Sequence, residues 1–288
     1  MSKLEFTCDF DDLGNRISEL NRSSSFETSQ FGVVVDGVLF PVFINLNSIE
    51  PGRLTVLYNG AVGRDRAEDG IVFQRSSWKD EIPSSVVSFA DPTLVLNDGM
   101  SIGWGQADGE LFAPEQYVNI LQVLRESLDL PTAESTLHFG SSAGGFQALA
   151  TAAFDQGSRV LCNNPQTDFS QYSVAWATNR ALKVNGFANR EEFLNSERFA
   201  EASWRVDIPS LYAKLNYMPE HIRFLVNTAS KNDLTVQTAS FISGITENST
   251  EPTVTGFEVY YYYHPVLGHN PLPKAATLDE IKAQLDAL

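Results

Sequence analysis

The first part of the chain alternates short β-rich runs with polar loops. Residues 31–47 contain two such runs separated by Asp36-Gly37, a dipeptide that supplies the positive φ angles of a tight hairpin turn. A short apolar run then covers Leu54–Tyr58 and stops at Asn59-Gly60. This pattern predicts an antiparallel hairpin at the N-terminal edge of a sheet, followed by a buried strand that leads into a loop.

From residue 85 onward, strand patterns alternate with helical patterns. Apolar residues recur at helical spacing in 113–128, where a proline stands near the start, and 276–288 has the spacing of an amphipathic closing helix. Further strand candidates lie at 85–94, 135–140, 159–166, 222–230 and 257–264. The alternation predicts an α/β protein with a mostly parallel central sheet flanked by helices.

Residues 168–220 depart from this alternation. They contain polar, aromatic-bearing helical patterns and no strand candidate, which predicts a helical cap inserted over one edge of the sheet. Ordinary crossover helices are the alternative, because such insertions differ from long crossovers only in length. The chain has 288 residues, of which 43% are hydrophobic and 19% charged, and this favours one folded domain over residues 1–288.

Net charge and cysteine content narrow the classes of partner. The formal net charge of −16 argues against binding to nucleic acid or to an anionic membrane surface. The chain shows neither a signal-peptide pattern nor about 18 consecutive apolar residues. Cys8 and Cys162 are too few for a disulfide framework and lack the spacing of zinc ligands. We expect a cytoplasmic protein with no membrane span, two free thiols and no metal. The sequence does not indicate the oligomeric state.

A candidate nucleophile lies between the strand pattern at 135–140 and a helical pattern. Gly140-Ser141-Ser142-Ala143-Gly144 fits G-x-S-x-G with Ser142 at the centre. The chain must turn sharply there with the serine in a strained conformation, so the residues two positions away on each side must be small. This selects Ser142 over Ser141. The alternative of a phosphate-binding loop requires a lysine or a dinucleotide fingerprint, and the residues that follow supply neither.

A serine hydroxyl needs a base to take its proton, and the chain has four histidines. His138 lies inside a predicted strand, and His221 stands just before one. His264 and His269 both follow the last strand, on the side where α/β sheets bind ligands. His264 precedes Pro265 and is expected to end the strand, so His269 is the candidate base.

The candidate acid is Asp233, in the predicted loop at the C-terminal end of the strand 222–230. A carboxylate there can orient the imidazole of His269. The order Ser142, Asp233, His269 along the chain is the order expected when the three groups lie on successive loops of such a sheet.

Acyl transfer also needs hydrogen-bond donors for the oxyanion. The candidates are the backbone N–H groups of Ala143, after the nucleophile, and of Ala61, with Gly60 as the alternative to Ala61. Candidate substrate-binding residues are Tyr58, Trp104, Gln166 and Trp176.

Three segments, FGSSAGG (139–145), KNDLTV (231–236) and LGHN (267–270), resemble those of the α/β-hydrolase family. The resemblance covers roughly residues 31–288 and implies a serine acyl-transfer enzyme with the triad Ser142, Asp233 and His269, needing no metal or organic cofactor. The chain is also similar to bacterial cytoplasmic members that move acetyl groups onto or off sugars of capsules and glycoproteins. The Ser-Ser doublet, and YNG where the family often has His-Gly, depart from the family pattern.

Three functions fit these features. The first is hydrolysis of a carboxylic ester, on a small molecule or a glycan, through an acyl-enzyme. The second is an O-acyltransferase that uses the same triad to move an acetyl group from acetyl-CoA to a carbohydrate hydroxyl. The aromatic residues Tyr172, Trp176 and Trp204 fit sugar stacking, but fit a lid over an acyl chain equally well. The third is a non-catalytic binding or scaffold protein on a hydrolase fold.

Overall fold

A computed structural model describes residues 4–23, 27–47, 49–65, 67, 69–248 and 256–288. Within these residues the strands are β1 (Phe6–Asp9), β2 (Thr28–Val35), β3 (Val38–Asn45), β4 (Leu54–Tyr58), β5 (Ser85–Phe89), β6 (Thr136–Ser141), β7 (Arg159–Asn163), β8 (His221–Asn227) and β9 (Gly256–Tyr262). They form one nine-stranded sheet in the order β1-β2-β3-β5-β4-β6-β7-β8-β9.

The helices lie mainly in the second half of the chain. They are α1 (Leu13–Ser23), α2 (Pro92–Leu96), α3 (Ala113–Leu128), α4 (Ala143–Phe154), α5 (Ala175–Val184), α6 (Arg190–Asn195), α7 (Phe199–Ala202), α8 (Ile208–Leu215), α9 (Ala239–Asn248) and α10 (Lys274–Asp286). Across the described ranges, no helix combines the length and the apolar character needed to cross a membrane.

The strand directions confirm the predicted mostly parallel sheet with an antiparallel hairpin. The hairpin turns at Asp36-Gly37, where both φ angles are positive, at 47° and 83°. Because β3 is antiparallel to both of its neighbours, it alone among the described strands runs against the others. The hairpin is one strand in from the edge, since β1 pairs in parallel outside it. Residues of β1 alternate between half-buried and exposed, so no apolar run marks this strand in the sequence.

The sheet is covered on both faces. On one face, Leu13, Ile17 and residues of α3, α4 and α8 pack against strand side chains that include Val56 and Phe224. On the other face, Ile281 and its neighbours in α10 pack against Leu57 and other strand residues. The burial of apolar side chains on alternate sides of each strand thereby holds the C-terminal ends of β4, β6, β7 and β8 along one edge, where ligands bind in such sheets.

The predicted strand candidate 85–94 forms two elements. Strand β5 ends at Phe89, and Asp91 then caps α2 by accepting a hydrogen bond from the backbone N–H of Thr93 at 2.9 Å. Pro92 occupies the first helical position, where its missing N–H costs nothing.

Residues 168–207 form a closed excursion from the sheet. Phe169 N–H donates to the carbonyl of Val206 at 3.1 Å, and Ile208 N–H donates to the carbonyl of Thr167 at 2.9 Å. An isolated antiparallel bridge pairs Asp168 with Asp207 between these bonds. We call this pairing the neck; α5, α6 and α7 lie beyond it, whereas α8 packs against α4 and α9.

Candidate active site

Ser142 stands in a strained turn between β6 and α4. Its φ and ψ angles are 56° and −124°, a conformation rare for a residue with a side chain. A Cβ atom added to Gly140 would lie 2.0 Å from the carbonyl oxygen of Gly144, and one added to Gly144 would lie 2.7 Å from the carbonyl oxygen of Tyr58. The two flanking glycines are therefore required by close backbone approaches.

Backbone hydrogen bonds over-determine this turn. Ser142 N–H donates to the carbonyl of Asn163 at 3.1 Å, and the Ser142 carbonyl accepts from Gly145 at 3.0 Å and from Gln166 at 3.2 Å. Bonds to the end of β7 and to the segment after it hold the serine in its strained conformation, so that its hydroxyl projects from the edge of the sheet.

Ser142, His269 and Asp233 form one chain of hydrogen bonds. His269 Nδ1 lies 2.8 Å from Asp233 Oδ2, and His269 Nε2 lies 2.8 Å from Ser142 Oγ. A carboxylate only accepts hydrogen bonds, so Nδ1 carries the proton that it donates to Asp233. In the neutral imidazole, Nε2 then accepts the hydrogen bond of the Ser142 hydroxyl. The structure thus brings together all three side chains selected from the sequence.

Asp233 lies in a different local structure from the predicted open loop. It begins a π-helical segment, Asp233–Thr238, that continues into α9, and it is only 2% exposed. Leu234 N–H already donates to the carbonyl of Ser230, so the chain coils as soon as it leaves β8. The carboxylate is consequently rigid as well as buried, which suits it to orienting an imidazole.

Buried asparagines anchor residues 264–270, which we call the histidine loop. Asn227 Nδ2 donates to the carbonyls of His264 and Gly268 at 2.9 and 2.8 Å. Asn164 Nδ2 donates to the carbonyl of His269 at 3.0 Å. Sequence reasoning missed these residues; their signal is an amide side chain at the end of an apolar strand, as in LCNN and FLVN.

The other histidines lie outside the hydrogen-bond chain. His264 is exposed, and its backbone N–H donates to Asn227. His138 is buried, with Nδ1 2.7 Å from the hydroxyl of Tyr58 and Nε2 3.0 Å from Asp155. Burial lowers the pKa of His138, and hydrogen bonds from Arg125 and His138 outweigh burial to lower the pKa of Asp155 far below its usual range. This cluster packs within the core.

Two backbone N–H groups near Ser142 have no protein partner among the described residues. One is the N–H of Ala143, at the first position of α4, and the other is that of Ala61. The residues on either side of Ala61 are already bonded: Gly60 N–H donates to Gln74 Oε1 at 2.9 Å, and Val62 N–H donates to the carbonyl of Ser101 at 2.7 Å. Of the alternatives considered for the second donor, Ala61 has the free group and Gly60 does not. Both free groups are available to a negatively charged oxygen.

Gln74 braces the loop that carries Ala61. Its side chain accepts from Gly60 and donates to the Ala61 carbonyl at 2.7 Å, and its backbone N–H donates to Asn59 Oδ1 at 3.1 Å. Asn59 in turn donates to the carbonyl of Val72. Nothing in the local sequence distinguishes Gln74, since its partners lie in an earlier segment.

Three of the four substrate-binding candidates have no accessible surface. Tyr58, Trp104 and Gln166 are each 0% exposed, whereas Trp176 is 54% exposed. The indole N–H of Trp104 donates to Gln166 Oε1 at 2.7 Å, so these two side chains support one another behind the surface. Tyr172 packs edge-on against Trp104, and burial, together with the Asp233 carboxylate, raises the pKa of its hydroxyl.

The described residues contain no cluster of metal-ligand side chains, and both cysteines are free thiols. Within the described ranges, no group of three or more His, Cys, Asp or Glu side chains could hold a metal ion. Cys8 and Cys162 are free thiols, and burial raises the pKa of Cys162 well above its ordinary value.

Comparison with solved structures gives the class of fold. A variant of the capsule O-acetyltransferase of Neisseria meningitidis serogroup A, in complex with CoA, is similar at a TM-score of 0.62 and 13% identity over 90% of this chain and 94% of that chain. An S-formylglutathione hydrolase from Agrobacterium tumefaciens is similar at 0.55 and 16%, over 92% and 97%. Acetyl xylan esterase 1 from Thermoanaerobacterium sp. is similar at 0.52 and 15%, over 96% and 93%.

These neighbours have the α/β-hydrolase fold, and this chain has the same fold. At such low identity the likeness extends to the fold alone. No protein-family model matches the chain, and no curated protein matches its sequence.

Proposed function

We propose that the protein is a serine esterase that cleaves a carboxylic ester through an acyl-enzyme. The observation that carries this proposal is the continuous hydrogen-bond chain from Asp233 through His269 to Ser142, with both links at 2.8 Å, in a nucleophile turn. Such a chain gives an otherwise weak nucleophile the base that it needs.

In the proposed reaction, Ser142 Oγ attacks the ester carbonyl while His269 Nε2 takes its proton. Asp233 stabilises the imidazolium through Nδ1–H, and the N–H groups of Ala143 and Ala61 stabilise the negative oxygen of the tetrahedral intermediate. The alkoxide leaves with the proton from His269. Water then repeats the sequence, with its proton passing to His269 and back to Ser142, and releases the carboxylic acid.

The second candidate is an O-acyltransferase that uses the same acyl-enzyme. Ser142 takes the acetyl group from acetyl-CoA, and CoA leaves as the thiol with the proton from His269. A carbohydrate hydroxyl then replaces water in the second half of the reaction and gives its proton to His269, which returns it to Ser142. This candidate is supported by the fold shared with a capsule O-acetyltransferase that was solved with CoA. It needs the same residues and adds only an acceptor that outcompetes water.

We propose further that the excursion, residues 168–207 of the predicted cap segment 168–220, forms the cap over this site. The excursion begins beside the π-helical segment that starts at Asp233, because the Gln237 side chain accepts from Asp168 N–H at 3.0 Å and donates to the Asp168 carbonyl at 3.0 Å. It exposes Trp176 on α5. A flat aromatic surface suits the apolar face of a sugar as well as an acyl chain. The cap could therefore contact the acyl chain of an ester substrate or the sugar acceptor of a transferase.

The deciding experiment incubates the native protein and Ser142→Ala with p-nitrophenyl acetate and p-nitrophenyl octanoate, with and without oligosaccharide acceptors. Steady, Ser142-dependent release of nitrophenol without acceptor is the result expected of an esterase. A burst of about one equivalent that becomes turnover only with sugar, together with acylated sugar, identifies the transferase.

A fluorophosphonate probe tests the third candidate, a non-catalytic binding protein. The probe should label the native protein and spare Ser142→Ala. Absence of labelling, together with absence of Ser142-dependent nitrophenol release, would overturn the catalytic proposal.

A further inference from the structure

The Ser-Ser doublet places a second hydroxyl, that of Ser141, next to the nucleophile in the chain, and this hydroxyl accepts a hydrogen bond from an arginine. Arg75 Nη2 donates to Ser141 Oγ at 2.6 Å. Ser141 directly precedes Ser142 in the chain, so this bond places the guanidinium at the same end of β6 as the nucleophile. It lies at the C-terminal end of β6, the edge from which the nucleophile projects.

The guanidinium of Arg75 lies against aromatic rings. Its guanidinium carbon lies 5.2 Å from the ring centre of Phe139 and 5.6 Å from that of Trp78. Among the described residues it forms no ion pair, and burial alone lowers its pKa to about 10, so the group stays protonated at neutral pH. The rings orient the cation without neutralising it.

An unpaired arginine is unexpected in a chain with 36 acidic and 20 basic side chains. Arg125 pairs with Asp155, and Arg223 pairs with two glutamates. Arg205, which is buried, donates to several backbone carbonyls instead. Arg75 uses one of its five N–H donors on one hydroxyl, which leaves most of its planar fork unused.

The backbone at Arg75 is also held in an uncommon conformation. Its φ angle is 67°, in the left-handed region, directly after the bracing residue Gln74. Strain of this kind persists where the surrounding structure imposes it, and such positions cluster at functional sites.

We propose that Arg75 belongs to the substrate-binding site. Its guanidinium binds an anionic group, a carboxylate or a phosphate, that the substrate carries near its ester. This inference rests on the proposed function of Ser142, because it makes Arg75 a determinant of substrate selectivity. The planar fork matches the two oxygens of a carboxylate or phosphate. A strongly acidic protein repels such substrates at long range, so a local cation is needed to select them.

Matched substrate pairs test the proposal. The first pair is 4-acetoxybenzoate and its methyl ester, which differ by one carboxylate charge; the second is S-acetyl-4′-phosphopantetheine and S-acetylpantetheine, which differ by one phosphate. Arg75→Gln should lower kcat/KM by about tenfold or more for the charged member of at least one pair, and by less than threefold for its neutral partner. The pair that responds identifies the carboxylate or the phosphate as the source.

Two control variants separate local binding from general electrostatics. Arg75→Lys keeps the charge without the planar fork and should retain more selectivity than Arg75→Gln. Lys274→Gln removes a cation that lies 5.8 Å from the same Trp78 ring but is paired with Glu81, and it should leave the ratios unchanged. An equal loss on both members of each pair, or no loss, would overturn the proposal and leave Arg75 as a structural brace.

A binding measurement keeps this test independent of catalysis. Calorimetric titration of CoA and of 4-acetoxybenzoate compares Ser142→Ala with Ser142→Ala/Arg75→Gln. Weaker binding of one anion to the double variant supports the site even if no ester is turned over, a result that would count against the proposed function alone. Equal affinities, or no binding to Ser142→Ala, would count against Arg75.

Discussion

Replacement of Gln74 by methionine should lower the rate of acyl transfer without unfolding the protein. Methionine has a similar volume but forms neither of the two side-chain hydrogen bonds, to Gly60 N–H at 2.9 Å and to the Ala61 carbonyl at 2.7 Å. The Ala61 N–H would then lose the brace that aims it at the oxyanion.

The expected magnitude follows from those two bonds. At about 0.5–1.5 kcal/mol each, they hold the loop by about 1–3 kcal/mol. If all of this is lost from the transition state, kcat/KM falls about 5- to 150-fold. Loss of a whole oxyanion donor, about 10²- to 10³-fold, sets the upper limit.

Initial rates of nitrophenol release from p-nitrophenyl acetate measure the effect, and circular dichroism with thermal melting checks the fold. Gln116→Met on α3 is the matched control, because it removes a similar side-chain hydrogen bond, from Asn119 at 3.0 Å, outside the candidate site. A kcat/KM for Gln74→Met within threefold of native would refute a role for Gln74 in positioning the second donor. An equal fall of kcat/KM in Gln74→Met and in the control variant would refute it as well.

Three further variants probe the neck, the histidine loop and the nucleophile turn. Burial and the charge of Asp168 raise the pKa of Asp207 from 3.8 to about 6, so the folded state gains stability below about pH 4 that is lost as pH rises through 6. Asp207→Asn should raise the melting temperature by about 2–4 °C at pH 8 and not at pH 4; equal shifts at both pH values would contradict this. Asn227→Ala removes two donors to the histidine loop and should cost about 1–3 kcal/mol in urea unfolding and lower kcat, and native kcat would argue against anchoring. Gly140→Ala puts a methyl group 2.0 Å from the Gly144 carbonyl oxygen and should abolish fluorophosphonate labelling, whereas labelling at the native rate would disprove a steric need for glycine.

The candidate triad could be selected from sequence because each member has a local signal. Ser142 has flanking glycines, and Asp233 and His269 each follow an apolar strand. Parallel strands bring their C-terminal ends to one edge, so residues distant in sequence become neighbours through a general property of the sheet. The hairpin at Asp36-Gly37 was predictable for a similar reason, since its turn chemistry is contained in two residues.

Other features have no local signal. The strand β1 is too short and too evenly half-exposed to show a pattern. Tyr58 and Trp104 are of residue types that are common on binding surfaces, yet their neighbours bury them completely. Their burial depends on which segments pack above them, and spacing along the chain carries no information on that.

The sequence by itself determined the α/β alternation, the turn at the nucleophile and the order of the three candidate catalytic groups, because periodicity, glycine and strand ends act over a few residues. Only the tertiary structure decided that Gln74 aims the Ala61 N–H, that asparagines hold the histidine loop, and that Arg75 donates to Ser141. These contacts join segments as far as 105 residues apart. Their geometry is set by the packing of the whole sheet, which no stretch of sequence contains.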